Sequence, residues 1–349
     1  MKFEECLLDQ IRRHPSMQPQ DIIKLCYQAA FSAEHLLNNT EEAEKYFYEE
    51  YNSISAKDMA LYEEISPDVC RVNLYAWKYH NLPAKWLFRM FLHSANTSKG
   101  GLDVFLQYIK AAEETIKKID LNFTLEQWND CLEQYIAAGI KPVSHSSKYR
   151  DSEKPAYRII SNSFIRLIPI LKKASELNSH DGISIIAIDG RAASGKTTMA
   201  EQLEFILDAD VIHMDDFFLP VNLRSDMRLS EPGGNVHYER FSEEVLPYIS
   251  NSENFAYCIF DCGIMDYKGT RIIKSIKWRI VEGAYSLHPF FGNYADLKVF
   301  SDIEPDEQIN RILKRNGEKM AEIFRARWIP LEEKYFSECR IPARADIVV

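Results

Sequence analysis

No stretch of the chain approaches the ~20 consecutive apolar residues that a membrane-spanning helix needs, so no membrane role is expected. The opening, MKFEECLLDQIRR, carries acids where a secretory leader needs a basic and then an apolar run. The seven cysteines are Cys6, Cys26, Cys70, Cys131, Cys258, Cys262 and Cys339; they are scattered, odd in number and form no C-x-x-C pair. That argues against a disulfide framework and for a reducing, cytoplasmic setting. Cys258 and Cys262 fall in an apolar run and read as buried small hydrophobes. Positive charge is also short: 42 Lys and Arg face 52 Asp and Glu, a net charge of -10. A general nucleic-acid binder needs a basic face to neutralise phosphates, so that class is set aside while a local basic pocket is not. No fixed-period repeat is present, which argues against a solenoid.

What is there reads as an ordinary globular chain, with 46% hydrophobic and 27% charged residues. Its 349 residues predict two domains. Residues 1–140 read as an α-helical domain. The string DIIKLCYQAAFSAEHLL sets Ile22, Ile23, Leu25, Cys26, Ala29, Ala30, Ala33, Leu36 and Leu37 on one apolar face, with Asp21 as its cap and His35 as a core histidine. LPAKWLFRMFLHSA, GLDVFLQYIKAAEETIKKI and TLEQWNDCLEQYIAAG repeat the pattern, with Gly139 as a C-cap and Pro142 as a stop. Residues 141–180 read as a polar linker and a bridging helix, with Pro169 in its first turns or breaking it. From 181 to 349 short apolar runs alternate with helical segments: ISIIAID, ADVIHM, FAYCIF, WRIVEG, DLKVFSDI and ADIVV. This predicts an α/β domain, a parallel sheet of doubly buried strands with flanking helices.

After the first of these strands, Gly190-Arg191-Ala192-Ala193-Ser194-Gly195-Lys196-Thr197 fits G-x-x-x-x-G-K-[ST]. Glycines let the backbone fold tightly round a phosphate, and a helix N-terminus aims its N–H groups at the anion. Gly190, Ala193, Ser194, Gly195, Lys196, Thr197 and Thr198 are the expected nucleotide contacts. Lys196 supplies charge to the β- and γ-phosphates and the Thr197 hydroxyl is placed for Mg²⁺. The chain has no N-K-x-D for guanine, and the strand WRIVEG ends in Glu-Gly rather than the Asp-Glu of a typical ATPase.

Round this cradle the sequence resembles the uridine kinase and phosphoribulokinase family of P-loop kinases. The matching strings are IDGRAASGKTT, DVIHMDDFFLP, GGNVHYERFSEEVLPYI, RIVEGAYSL and LKVFSDIEPDEQINRILKR, spread over about residues 183 to 349. The resemblance implies ATP as phosphoryl donor and Mg²⁺ as cofactor. It implies Asp215 as the base for the attacking hydroxyl, close to Mg²⁺, with Asp216 able to share or take the role. It makes Glu282 a further carboxylate near Mg²⁺, and Arg311 and Arg315, four residues apart, lid arginines on the ATP phosphates. Arg325 and Arg327 are further candidates. Arginine suits the task because its fork pairs with phosphate oxygens.

The match departs from the family on the acceptor side. Where uridine kinases carry Asp-His-Pro after the asparagine, this chain has His237 and Tyr238. Where they read the base with a tyrosine and a histidine, it has Phe260 and Met265, although Asp261 matches. Asp216, Arg224, Arg228, His237, Tyr238 and Arg240 are therefore the acceptor-pocket candidates, and their basic members suit a small-molecule alcohol bearing a phosphate or carboxylate. The leading expectation is an ATP-dependent kinase acting on a hydroxyl of a small molecule, with the acceptor and the oligomeric state left open. Two alternatives remain at this point: a nucleotide-regulated binding module in which ATP controls the helical domain, and a P-loop ATPase.

Overall fold

The structure is a computed structural model that describes residues 2–32, 40–97, 100–178 and 181–349. Contacts divide the chain into two compact units, Met1–Ile165 and Arg166–Val349. Among the described residues no helix is long and apolar enough to cross a membrane.

The first unit is mostly helical. In the helix Leu102–Ile116, Phe105, Ile109, Ala112 and Ile116 recur at helical spacing and are buried. They pack with the helix Pro19–Phe31, whose Ile22, Ile23, Leu25 and Cys26 are at most 1% exposed. That helix starts before Asp21, at Pro19, because proline favours the first helical position. Asp21 accepts the Gln18 amide at 2.9 Å from within the first turn. Ala33, His35, Leu36 and Leu37 lie outside the described residues. The helix Leu125–Ala137 is capped reciprocally. Thr124 Oγ1 accepts the Gln127 amide at 3.2 Å and Gln127 Oε1 accepts the Thr124 amide at 2.8 Å. Gly139, at φ +78, lies just beyond its C-cap Ala138, where a left-handed residue is wanted.

Three short strands complete this unit: β1 (Tyr62–Glu64), β2 (Val69–Asn73) and β3 (Tyr157–Ser161), antiparallel in that order. Helical periodicity does not reveal them. β1 has three residues, and β2 is buried on both faces, so neither shows alternation. The polar segment after residue 141 leads into a helix, Ser147–Glu153, capped by Ser146, and then into β3.

Between helices and strands runs a buried polar chain. Arg71, 3% exposed, donates to Gln28 Oε1 at 2.7 and 3.1 Å and to Gln10 Oε1 at 3.1 Å. Gln10 donates to Glu63 at 2.9 Å, and His14 bridges Glu63 and Glu153 at 2.9 and 3.1 Å. On the other arm, Gln28 meets the Tyr157 hydroxyl at 3.1 Å, Tyr157 meets His145 Nε2 at 2.6 Å, and His145 Nδ1 meets Asp21 at 2.8 Å. Burial opposes charge on His14, but its two carboxylate partners raise its pKa above the usual value. Burial lowers that of His145 to about 4 despite Asp21.

A 3-10 turn, Asn162–Leu167, runs through the boundary at Ile165, and the second unit continues with the helix Ile168–Leu177, which has Pro169 in its first turn. β4 (Ser184–Gly190) and β5 (Ala209–His213) follow, then β6 (Phe255–Asp261), β7 (Asp266–Ile273), β8 (Trp278–Glu282), β9 (Leu297–Ser301) and β10 (Ile347–Val348). Five of them make a parallel sheet in the order β10-β9-β4-β8-β5. All residues of β4 and β8 are buried, which is why they read as continuous apolar runs. FAYCIF does not join this sheet: as β6 it pairs antiparallel with β7, a partly exposed hairpin. Cys258 is half-buried and Cys262 exposed, not core, because the latter sits in the turn between these two strands.

Candidate active site

The cradle lies at the C-terminal end of the central strand β4, where open α/β sheets bind ligands. Gly190 adopts φ +142, and a Cβ there would stand 2.0 Å from Ser301 O. The loop's carbonyls are each held by a donor. Lys196 Nζ donates to Gly190 O and Arg191 O at 2.8 Å, Gln308 to Ala192 O at 3.1 Å, Arg311 to Ala193 O at 3.4 Å, and Arg166 to Ser194 O at 3.4 Å and Gly195 O at 3.0 Å. With carbonyls turned away, amides turn in. Among the described residues, the N–H groups of Ala193 and Gly195 have no acceptor. The helix Lys196–Leu207 opens with its own unpaired amides beside them. The result is a nest for an anion.

Asp189, fully buried, locks the loop from below. It accepts the amides of Gly190, Tyr285 and Leu287 at 2.7, 3.1 and 3.0 Å and the Tyr335 hydroxyl at 2.7 Å. From the helix Pro305–Asn316, buried Gln308 and Ile312 rest on the cradle, while Arg311 and Arg315, likewise four residues apart, line the space above it.

That space is a cavity of about 690 Å³. It is lined by Ala192, Ala193, Gly195, Lys196, Thr197 and Thr198 of the cradle, by Asp215 and Glu282, and by Arg311, Arg315 and Arg327, while Gly190 and Ser194, also expected as contacts, do not line it. The Thr197 hydroxyl lies 3.4 Å from Glu282 Oε2, and His213 Nδ1 holds Glu282 Oε1 at 2.6 Å. That bond raises the His213 pKa. Gly283, at φ +130, lets the chain turn directly after Glu282 against Met214. Asp215 is open to the cavity but walled by protein on its other sides. Burial raises its pKa, and the Glu282 charge adds to the rise while Lys196 opposes it. Glu332 reaches in from the helix Ile329–Glu338 and accepts the Ala192 amide at 2.9 Å; burial raises its pKa to about 7.

The two neighbouring aspartates are separated by their surroundings. Asp216 accepts the Tyr257 hydroxyl at 2.9 Å and lies 3.6 Å from Arg271, and it does not line the cavity. Of the acceptor candidates Asp216, Arg224, Arg228, His237, Tyr238 and Arg240, the structure brings Arg224 alone to the cavity. Arg228 is occupied by Glu239 at 2.6 and 2.9 Å and stacks 3.7 Å over Tyr238. Tyr238 donates to Glu231 at 3.0 Å. Buried Arg240 binds the carbonyls of Cys258 and Asp216, and His237 starts the helix Tyr238–Glu244. The polarity of Arg228, Tyr238 and Arg240 serves the fold of this segment instead, while His237 Nδ1 is buried without a partner among the described residues. Arg325 lies 3.9 Å from Glu318, and Asp261 holds Lys268 at 2.7 Å. Asn235, Tyr285, Trp328 and Glu332 line the cavity without having been singled out in sequence, as do Phe218, Leu229 and Cys262. The positive φ of Tyr285, 75°, is the one local oddity among them, and it has no sequence signal.

No known family profile and no curated protein matches the chain. Solved structures do. One, described as a possible uridine kinase from Bacillus stearothermophilus, is 21% identical and aligns over 53% of this chain and 98% of its own, with a TM-score of 0.41. Another, described as a kinase of a fructose transport system from Silicibacter sp. TM1040, is 19% identical and aligns over 52% of this chain and 98% of its own, with a TM-score of 0.45.

Proposed function

We propose that the second unit is an ATP-dependent kinase that transfers the γ-phosphoryl group to a hydroxyl of a small molecule. The observation that carries this reading is the meeting, in one cavity, of the phosphate nest, Lys196, Thr197, Glu282, the arginines 311, 315 and 327, and an unengaged aspartate. The donors suit Mg²⁺, a hard cation that takes one or two protein oxygens and completes its shell with water and phosphate. Thr197, Asp215 and Glu282 would hold it, and it would neutralise charge on the β- and γ-oxygens.

In this reading the amides of Ala193, Gly195 and Lys196 seat the phosphates, and Lys196 leaves its two loop carbonyls to reach them. Asp215 accepts the proton of the acceptor hydroxyl as its oxygen bonds to the γ-phosphorus and the bond to ADP breaks. A raised pKa suits a base working near neutrality. Arg311, Arg315 and Arg327 stabilise the charge that spreads over the phosphoryl oxygens. The acceptor side combines Phe218, Leu229 and Met265 with Arg224 and Asn235, which suits an alcohol with an apolar body and an anionic or polar end.

Incubating the protein with Mg-ATP and panels of nucleosides, sugars and vitamin-like alcohols, read by mass spectrometry, tests the proposal. Phosphorylation of one class is expected. ATP binding without transfer to any hydroxyl compound would favour a nucleotide-regulated module, and rapid phosphate release without acceptor an ATPase.

A further inference from the structure

Arg166 lies outside the strings that resemble the kinase family, and it does not line the cavity. It is the first residue of the second unit. Its guanidinium grips the outer side of the cradle, donating to Gly195 O at 3.0 Å and to Ser194 O at 3.4 Å. A Cβ on Gly195 would stand 2.8 Å from its NH1, so the guanidinium lies directly against this glycine, whose φ of +94 disfavours a side chain. The carbonyls that Arg166 holds belong to the two residues before the helix Lys196–Leu207. Peptide planes are rigid, so fixing the Ser194 carbonyl outward fixes the Gly195 amide inward, and fixing the Gly195 carbonyl does the same for Lys196.

Charge points the same way. Among the described residues no carboxylate lies within ion-pairing reach of Arg166, and the nearby Arg311 is a second cation that disfavours its charge alongside burial. A half-buried cation without a counter-ion is costly. An anion in the nest relieves Arg166, whereas Arg311 already has Glu307 at 2.7 Å.

We infer that Arg166 is a positioning residue for the nucleotide's phosphates, acting through the cradle backbone from behind. The inference rests on the proposed nucleotide site. Its ligand class is a nucleoside di- or triphosphate, and it makes the segment preceding the kinase-like region part of the phosphate site.

Titration calorimetry of the full-length protein with Mg-ADP and with a non-hydrolysable Mg-ATP analogue tests it. Arg166→Met should weaken both by about tenfold, the equivalent of about 1.4 kcal/mol. Arg166→Lys, which keeps the charge but can reach one carbonyl, should fall about threefold below wild type. Affinity is read well below the ligand-free melting midpoint of each variant, and the graded order wild type, R166K, R166M is a readout that a merely structural role would not give. Equal affinities for wild type and R166M would overturn the inference. If R166M does not fold, R166K decides: a threefold loss supports the role and wild-type affinity refutes it. Failure of the wild-type protein to bind either nucleotide would instead remove the nucleotide site itself.

Discussion

The polar groups buried in the two units are arranged on opposite principles. In the first unit one long network closes on itself, although Trp128 Nε1 and Asn162 Oδ1 are buried outside it without a partner among the described residues. From Asp21 through His145, Tyr157, Gln28, Arg71, Gln10, Glu63 and His14 to Glu153, each donor meets an acceptor. In the second unit the chain of partners stops at a cavity. Asp215 faces it with no hydrogen-bond partner among the described residues, the amides of Ala193 and Gly195 point nowhere, and Lys196 is held only by the loop's own carbonyls. A satisfied buried network specifies a fold, whereas valences left open in a concave site are reserved for a ligand. The first arrangement therefore reads as architecture and the second as chemistry.

The sharpest way to break this contrast is at the nest. Gly190→Ala places a methyl 2.0 Å from Ser301 O. It does so on a backbone that alanine avoids, so the loop must move. Mg-ATP binding should become undetectable by calorimetry while the circular dichroism of the helices is retained. The converse change is Arg71→Met. It should lower the stability of the first unit by about 3 kcal/mol, because the carbonyls of Gln10 and Gln28 lose their buried donor. Hydrogen exchange at β2 and β3 would report the loss, and Mg-ATP affinity should not change.

The same contrast separates what could be read in the sequence from what could not. The cradle was legible because its chemistry is contiguous: one strand, one loop and one helix start. Asp215, Glu282, Arg311 and Arg315 were legible through the family resemblance; in the structure Glu282 ends β8, Asp215 follows β5 by two residues, and the two arginines share a helix face. Glu332 and Arg166 reach the cradle only through tertiary packing, so no local pattern marks them. Arg228 and Arg240 misled for the opposite reason. They sit in the right string, but Glu239 and the carbonyls of Cys258 and Asp216 consume them. The β6–β7 hairpin was missed because an apolar run alone does not say which sheet it joins. The closed network was missed because its members are spread from Gln10 to Tyr157.

Acidity sharpens the comparison more gently. His145 titrates near 4 in the folded unit and near 6.5 when unfolded. Its contribution is complete above 6.5 and is lost as pH falls toward 4. Glu63 acts in the same direction further down. Burial opposes its charge, but His14 and Gln10 hold its pKa at about 2, below the unfolded 4.5. His14, shifted upward, contributes most below 6.5 and loses its contribution as pH rises through its folded value. Urea midpoints for the first unit should therefore fall on both sides, and His14→Gln should remove the alkaline fall and, by releasing Glu63, weaken the part of the acid fall that Glu63 contributes. The smallest effect belongs to Glu332. Below about 7 it loses a negative charge that faces the phosphate site. Mg-ATP affinity should rise a few-fold from pH 8 to 6 in the wild type and stay flat in Glu332→Gln.

The most direct test of the open site is Asp215→Asn, compared with wild type in the same assay for Mg-ATP affinity and for transfer to whichever hydroxyl compound the panel identifies. Removing a general base costs about 10²–10⁴-fold in rate. The account predicts at least a hundredfold slower transfer at saturating Mg-ATP, a loss in rate that exceeds any loss in Mg-ATP affinity. Transfer by D215N at the wild-type rate would contradict it.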